Sequence, residues 1–545
     1  MRTQIGLVLS AAALVVACSG QAPQSQADDV APPPPGAITP ARPNVVFIMV
    51  DDMRDDDLRF MPQVRTLIGD QGVRFRNSFS PYPLCCPARA SVLTGLYTHN
   101  HGVYTVGADY AFHAFDDRET LATMLEGAGY ANVYLGKYLN RYGVQPPHNV
   151  QRGNSLHYVP PGWEMWRASF DGGFAPGSPD RGSTYAYDDT TLSIDGDGFE
   201  RLEGRYQTVA YGEIARNVVR RRTASDQPFL LYLSFTAPHT GGPPEPDDPR
   251  PHTLSNGHSY IWRTAARPPR VRGIHDRVIQ EAPGASWRDP DFGDKPRYLR
   301  ALPRLRAADR RALLEVTRQR AEALTVVDRQ VGELMRTLAD TGELDQTLVV
   351  FTSDNGYFLG EQRMRSGKFF PHEPSMRVPL LMRGPGIPAG SVRLDPFTSI
   401  DYLPTIAAAT GAELEHQVDG VSLWDVARDG DAGWTRGVLT QTGSQGRRPR
   451  HTNEAGEPLS RGGRRDLRFL LGIRTHRYLY VDVAHQRDEL YDLRHDPRQY
   501  RNVIGVPRYA EVRELLAGVL ADLRTCRAAS CSTALPPALQ WQAPE

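Results

Sequence analysis

The chain has 545 residues, 63 Lys plus Arg against 63 Asp plus Glu, and 40% apolar side chains. That length accommodates a large α/β domain with a smaller companion and an ample buried core. The zero formal charge provides no global field, so nucleic acid is not an expected partner.

The first element in chain order is a leader. MRTQIGLVLSAAALVVAC, residues 1–18, has one basic residue and an apolar run too short to span a bilayer, and reads as a signal peptide. Its end, Val15-Val16-Ala17-Cys18, resembles a bacterial lipobox. The resemblance implies cleavage that leaves Cys18 as a lipidated N-terminus. The expectation is an exported protein whose contact with a bacterial membrane is that lipid anchor alone, at the outer membrane, in the periplasm or on the cell surface. A plain signal peptide with a chance cysteine is the alternative. Residues 19–42, rich in Pro, Ala and Gln without an apolar period, read as a disordered tether.

Five apolar runs follow, each ending in polar or glycine residues: PNVVFIMVDD, ANVYLGKY, PFLLYLSFTAPH, TLVVFTSDNG and VPLLMRGPG. Such runs suit strands buried on both faces. Between them, MPQVRTLIGDQG and ETLATMLEGAG end at glycine as helices do, and DRRALLEVTRQRAEALTVVDRQVGELMRTLADTG is a long amphipathic stretch. The alternation predicts an α/β domain over residues 43–435, with a mostly parallel sheet flanked by helices.

Residues 436–535 predict a smaller α+β domain. After an arginine-rich loop at 447–468, FLLGIRTHRYLYVDV and DELYDL read as antiparallel strands and RYAEVRELLAGVLADLRTC as a closing helix. Residues 536–545 form a tail. In an oxidising compartment Cys526 and Cys531 either close a short-loop disulfide or remain two thiols.

Ligands of open parallel sheets gather at the carboxyl ends of the strands. Asp51, Asp52, Lys137, His239, Asp354 and Asn355 all fall at such ends, which predicts one site. Three carboxylates and an amide oxygen brought together repel unless a cation sits among them. An all-oxygen ligand set selects calcium or magnesium over zinc. One aspartate alone would be a turn or a helix cap, but a double aspartate on one strand and Asp-Asn-Gly on another favour a metal.

Of the 63 basic side chains three are lysine, Lys137, Lys295 and Lys368, and sixty are arginine. A compact ammonium and a planar guanidinium are not interchangeable at a close-fitting site, so the surviving lysines mark positions of interest. Lys295 is expected to be a solvated surface group.

PYPLCCPARASVLTG, residues 81–95, places Cys85 two residues before Pro87 and four before Arg89. The pattern resembles the C-x-P-x-R signature of the sulfatase family. The rest of that family's site follows in order: the Asp51-Asp52 pair, GKYLN, APH, SDNG, a lysine ahead of RVP, and the late ELYDLRHDPRQYRN. The resemblance implies an alkaline-phosphatase-like fold and oxidation of Cys85 to Cα-formylglycine by a formylglycine-generating enzyme. Cys86, out of register, is expected to be a packed small hydrophobe.

An aldehyde hydrate offers calcium hard oxygens where a thiolate is soft. One of its hydroxyls would attack sulfur and expel the alcohol, and the other would release sulfate by reforming the aldehyde. A helix starting just after Cys85 would favour an anion there. The implied metal site is calcium, with magnesium the lesser choice, held by Asp51, Asp52, Asp354, Asn355 and the Cys85-derived group. Arg89 would hold the formylglycine, Lys137 and Lys368 would contact sulfate oxygens, and His239 would donate a hydrogen bond or proton at the leaving oxygen.

Two departures stand out. Sulfatases often carry histidine two residues after the first lysine, as the base that regenerates the aldehyde; here Leu139 stands there. The residue four after Lys368 is often tyrosine, and here it is His372. His101 and His372 are the candidate bases. GKYLN, THNHGV, YVPPGW and TLSIDG resemble the N-acetylglucosamine-6-sulfatase and heparan 6-O-endosulfatase branch. That implies a sulfated carbohydrate substrate with 6-O-sulfated glucosamine of glycosaminoglycan type. A phosphate or phosphonate ester hydrolase on the same scaffold is a second reading. A non-catalytic lipoprotein that binds sulfated glycan through the 447–468 loop is a third.

Overall fold

The run NVVFIMV becomes the strand Asn44–Val50, with all seven residues buried, as a strand covered on both faces requires. It pairs in parallel with Thr347–Ser353 on one side and Phe229–Ser234 on the other. Ala131–Lys137 and then Met165–Ser169 extend this parallel block. This is a computed structural model, and it describes residues 42–541 apart from 108–109, 255, 285–291, 444–450, 453–457, 461–462 and 465–467. The leader, Cys18, nearly all of the tether and most of the arginine-rich loop lie outside the described residues.

The complete sheet has ten strands. Beyond Thr347–Ser353 come Leu380–Arg383, Val73–Phe79 and the edge strand Ser391–Thr398; beyond Met165–Ser169 come Thr191–Ile194 and Gly198–Arg201. Leu380–Arg383 runs antiparallel to both of its neighbours. Its apolar run could not give that direction, because burial on both faces looks the same either way. This is the mostly parallel, helix-flanked architecture of the alkaline-phosphatase-like fold.

Alternate residues of Asn44–Val50 feed two cores, since successive side chains point to opposite faces. Val45, Phe47 and Met49 pack with Leu121 and Leu125 of the helix Leu121–Gly127 and with Leu403 and Ile406. Val46, Ile48 and Val50 pack with Val327, Val331 and Leu334 of the helix Ala307–Asp340 and with Ala215 and Val219 of Gln207–Arg222. The long amphipathic stretch is therefore one helix whose apolar stripe closes the second face.

In the C-terminal part, Val438–Gly443, Arg468–Arg474, Tyr478–Val483 and Glu489–Asp492 form an antiparallel sheet in that order. Leu516, Leu520 and Leu523 of the helix Ala510–Leu523 cover it. Val438–Gly443, half polar in sequence, carries no apolar run and escapes a reading by periodicity. Phe79, Met376 and Ile400 of the larger part join this core, so the two sheets share packing. Cys526 and Cys531 are joined as a disulfide. The chain then returns to pair Trp541 with Trp434. Among the described residues no helix is long and apolar enough to cross a membrane.

Candidate active site

Strand register builds the site. Val50 lies opposite Ser353, and Met49 and Gly136 both lie opposite Ser234. Asp51 and Asp52, Asp354 and Asn355, Lys137 and the turn to His239 therefore emerge together at one edge of the sheet. Cys85 is the first residue of the helix Cys85–Thr94, which stops at Gly95 in the left-handed conformation (φ 69°). Its Sγ lies 3.4 Å from Asp51 Oδ1 and 2.8 Å from Lys368 Nζ.

One turn along the same helix, Arg89 donates from Nε to Asp354 Oδ2 (2.9 Å), and from Nη1 to the Lys137 carbonyl (2.9 Å) and to Ser234 Oγ (2.7 Å). The Lys137 ammonium is paired with Asp51 and lies 4.9 Å from the Tyr185 ring centroid. Lys368 is paired with Asp52. His239 donates Nδ1–H to the Thr240 carbonyl (2.7 Å), which turns Nε2 toward Asp52 Oδ2 at 3.8 Å. Burial holds the imidazole pKa down to about 4.

The carboxylates fit a hard cation. Asp51, Asp52 and Asp354 bring oxygens within 4.8 Å of one another. Asp52 is a non-glycine residue at φ 69°, an uncommon conformation that points its N–H at Asp354 Oδ1 (3.1 Å). Asn355 Nδ2 donates to Asp52 Oδ1 (2.7 Å) and the Gly356 carbonyl (2.8 Å), while its Oδ1 is buried without any hydrogen-bond partner. An orphaned buried acceptor beside three carboxylates is what a calcium or magnesium ion would satisfy.

Charge agrees. Burial, with the Asp51 carboxylate next, pushes Asp354 up to about 6. Burial, the largest single effect, opposes the charge on Asp51, but Lys137, His239, Lys368 and Arg89 together outweigh it and hold that carboxyl well below the usual range. Three carboxylates and three cationic side chains cancel, so a divalent ion would leave a net positive field for an anionic substrate. Burial, and after it Asp51, push the Cys85 thiol well up. An unmodified Cys85 is therefore a protonated thiol, a poor nucleophile and a poor metal ligand.

The sulfatase family model matches residues 43–412. The chain belongs to the sulfatase family. It is 32% identical over 392 residues to the extracellular sulfatase SULF-1 homolog of Drosophila melanogaster, covering 70% of this chain and 31% of that one, so it spans about a third of that relative. It is 30% identical over 426 residues to the N-acetylglucosamine-6-sulfatase of Homo sapiens, covering 74% of this chain and 68% of the other. Among solved structures, one in complex with its substrate D-glucosamine-2-N,6-O-disulfate superposes with a TM-score of 0.64 at 22% identity, covering 89% of this chain and 97% of that one.

The departures from the family pattern find places in the structure. His101 accepts the Val103 N–H at Nδ1 (3.1 Å) and faces Ser91 Oγ with Nε2 (3.1 Å), and burial lowers its pKa to about 3. It braces the turn behind the Cys85 helix. His372 is fully buried with Nε2 3.2 Å from Glu489 Oε2, in the packing against the C-terminal sheet. Neither lines the cavity of about 590 Å³ that holds Cys85, Lys368 and His239.

Asn140 and Tyr185 also line that cavity, with Asn140 Nδ2 donating to Tyr185 Oη (2.6 Å). Asn140 closes the GKYLN motif and was within reach of sequence reading; nothing local marks Tyr185. Cys86 is fully buried, its Sγ 3.9 Å from the Asn140 carbonyl, as a packed hydrophobe should be. Lys295 corrects an expectation. It is 1% exposed, with Nζ on Asp294 Oδ1 (2.8 Å) and the Tyr500 carbonyl, because the loop around it folds under the C-terminal sheet.

Proposed function

We propose that the protein hydrolyses sulfate esters of a sulfated carbohydrate, with 6-O-sulfated glucosamine of glycosaminoglycan type as the unit attacked. The carrying observation is Cys85 at a helix start, flanked by Lys368 and by Asp51 of a carboxylate cluster in which the Asn355 oxygen beside Asp52 is orphaned. The human relative's name and the sugar bound to the solved relative support the carbohydrate class. In this reading Cys85 is converted to formylglycine, whose hydrate would supply the nucleophilic oxygen; Asp51, Asp52, Asp354 and Asn355 would hold a calcium ion, whose chemistry there would be to polarise the sulfate.

The chain's own residues do the rest. Lys137 and Lys368 place point charges on sulfate oxygens. Arg89 ties the Cys85 helix to Asp354, and its Nη2, 3.5 Å from Asp51 Oδ2 but without a hydrogen bond, is the donor available to hold an oxygen on residue 85. With His101 and His372 engaged elsewhere, His239 carries both proton transfers. Neutral at rest, its Nε2 takes the proton of the attacking hydroxyl on residue 85 and passes it to the departing alcohol oxygen; neutral again, it takes one from the second hydroxyl as sulfate leaves. The leader and Cys18 support export and lipid anchoring, with the converting enzyme as the partner that matures the chain.

The test is relative kcat/KM on matched 4-nitrophenyl sulfate and phosphate and on N-acetylglucosamine 6-sulfate. Sulfate esters are expected to be preferred. Preference for phosphate or phosphonate would replace this reading with the second one, and no turnover by protein whose Cys85 is converted would leave glycan binding. Chelation is expected to abolish activity and calcium to restore it. Restoration by zinc alone would contradict the oxygen-donor argument.

A further inference from the structure

We propose that Arg263 is a specificity-determining residue that receives a second anionic group of the substrate, a sulfamate or carboxylate near the ester that is cleaved. The inference rests on the sulfatase reading of the site and deepens it. The cavity that holds Cys85, His239 and Lys368 is not built from strand ends alone. Its outer wall includes Asp248, Trp262, Arg263 and Thr264. None of Asp51, Asp52, Asp354 and Asn355 and none of the motif residues comes from this wall, so whatever it recognises is a part of the substrate away from the reacting sulfur.

Both neighbours of Arg263 are fixed. The Gly241 N–H donates to the Thr264 carbonyl (2.8 Å) and the Ala266 N–H to the Gly241 carbonyl (3.1 Å). These bonds tie Thr264 and Ala266, just after Arg263, to the turn that carries His239. Thr264 Oγ1 donates to Asp248 Oδ1 (2.8 Å). On the other side, Trp262 is 5% exposed and its Nε1–H donates to His252 Nδ1 (3.3 Å). His252 is itself 2.9 Å from Asp309. The Arg263 side chain therefore leaves from a backbone position set relative to the catalytic imidazole, unlike a surface arginine on a free loop.

The charges of this wall are unequal. Asp248 has both oxygens engaged, Oδ1 by Thr264 and Oδ2 by the Glu245 N–H (2.9 Å). Lys368, paired with Asp52 and 2.8 Å from Cys85 Sγ, belongs to the place of the reacting sulfate. Arg263 is exposed, and its guanidinium makes no ion pair or hydrogen bond to a described residue. It is an exposed cation lining an anion-processing cavity, and among the described residues neither Asp248 nor any other carboxylate pairs with it. A planar fork of donors matches the oxygens of a sulfamate or carboxylate in two-point contact. A sugar with a single sulfate has nothing to offer there once that sulfate is seated between Lys137 and Lys368.

The experiment compares wild type, Arg263→Ala and Arg263→Lys on three esters: N-acetylglucosamine 6-sulfate, its 2-N-sulfated counterpart, and a uronate-linked disaccharide of the first. The alanine variant is expected to lose about tenfold in kcat/KM, mainly through KM, on the sulfamate or the uronate ester. The loss on the singly charged ester is expected to be at least about fivefold smaller. Lysine should recover part of the difference, and added salt should narrow the wild-type preference because the guanidinium is exposed. The ester that shows the larger loss tells whether the second anion is on the same ring or the next one. Equal losses on all three, or none, would overturn the proposal. A wild type that cleaves none of the three would bring down the sulfatase reading itself, and this inference with it.

Discussion

Cys85→Ala is expected to remove turnover, by on the order of a thousandfold or more, because it deletes the group the remaining site residues are arranged around. Cys86→Ala, one residue away, should keep kcat and cost only packing, about 1 kcal/mol for a small buried side chain. The two thiols separate cleanly in the structure. Cys85 Sγ sits 2.8 Å from Lys368 Nζ, while Cys86 points to the Asn140 carbonyl at 3.9 Å. The measurement is steady-state kinetics on one sulfate ester, with thermal unfolding of each variant and mass analysis of the peptide 81–95. A folded Cys86→Ala as inactive as Cys85→Ala would move the nucleophile to the other cysteine.

Lys137→Arg and Lys368→Arg should each lose about a hundredfold or more in kcat/KM although the formal charge is unchanged. Lys137 is 2% exposed, wedged between Asp51 and the Tyr185 ring, and Lys368 reaches Asp52 and Cys85 together. A longer, forked guanidinium displaces the anion it should hold, and an error near 1 Å costs about that much. Lys295→Arg makes the contrast. Its ammonium is enclosed by Asp294, the Tyr500 carbonyl and the Tyr491 ring, and it does not line the cavity that holds Cys85. Overpacking there should lower the melting temperature, by about 1–3 kcal/mol of stability, and leave kcat/KM of the folded fraction near wild type. Wild-type rates in the Lys137 and Lys368 variants would mean that those two ammonium groups do not set the sulfate's position.

Lys295 also marks where sequence reading stopped. The bias toward arginine singled out three lysines, and all three prove to be enclosed by structure, but burial of the third depends on a contact with the segment around Tyr500, some two hundred residues away in the chain. The strand-end aspartates, the Cys85 register and the lysines were legible because each is announced by its neighbours in sequence. The direction of Leu380–Arg383, the polar strand Val438–Gly443, Tyr185 and the wall around Arg263 were not. Strand direction leaves no trace in an apolar run, and the wall is assembled from turns pinned to one another across the fold rather than from any periodic pattern. His101 and His372 looked eligible as bases by residue type alone; only their partners, Ser91 with Val103 and Glu489, reveal that both are already employed.

The 2% exposure of Cys85 has a consequence in time. A small substrate can enter the cavity above it, but another protein's active site cannot close around a residue at the base of a helix with its backbone buried on every side. If residue 85 is to be oxidised by a second enzyme, the encounter belongs to the interval before the sheet assembles. Maturation is then a race between two clocks, one for the modifying enzyme and one for folding. A chain that folds first is locked for its lifetime as a correctly shaped molecule with a thiol in the wrong oxidation state. Faster synthesis without more of the partner enzyme should therefore raise protein yield and lower specific activity in the same preparation.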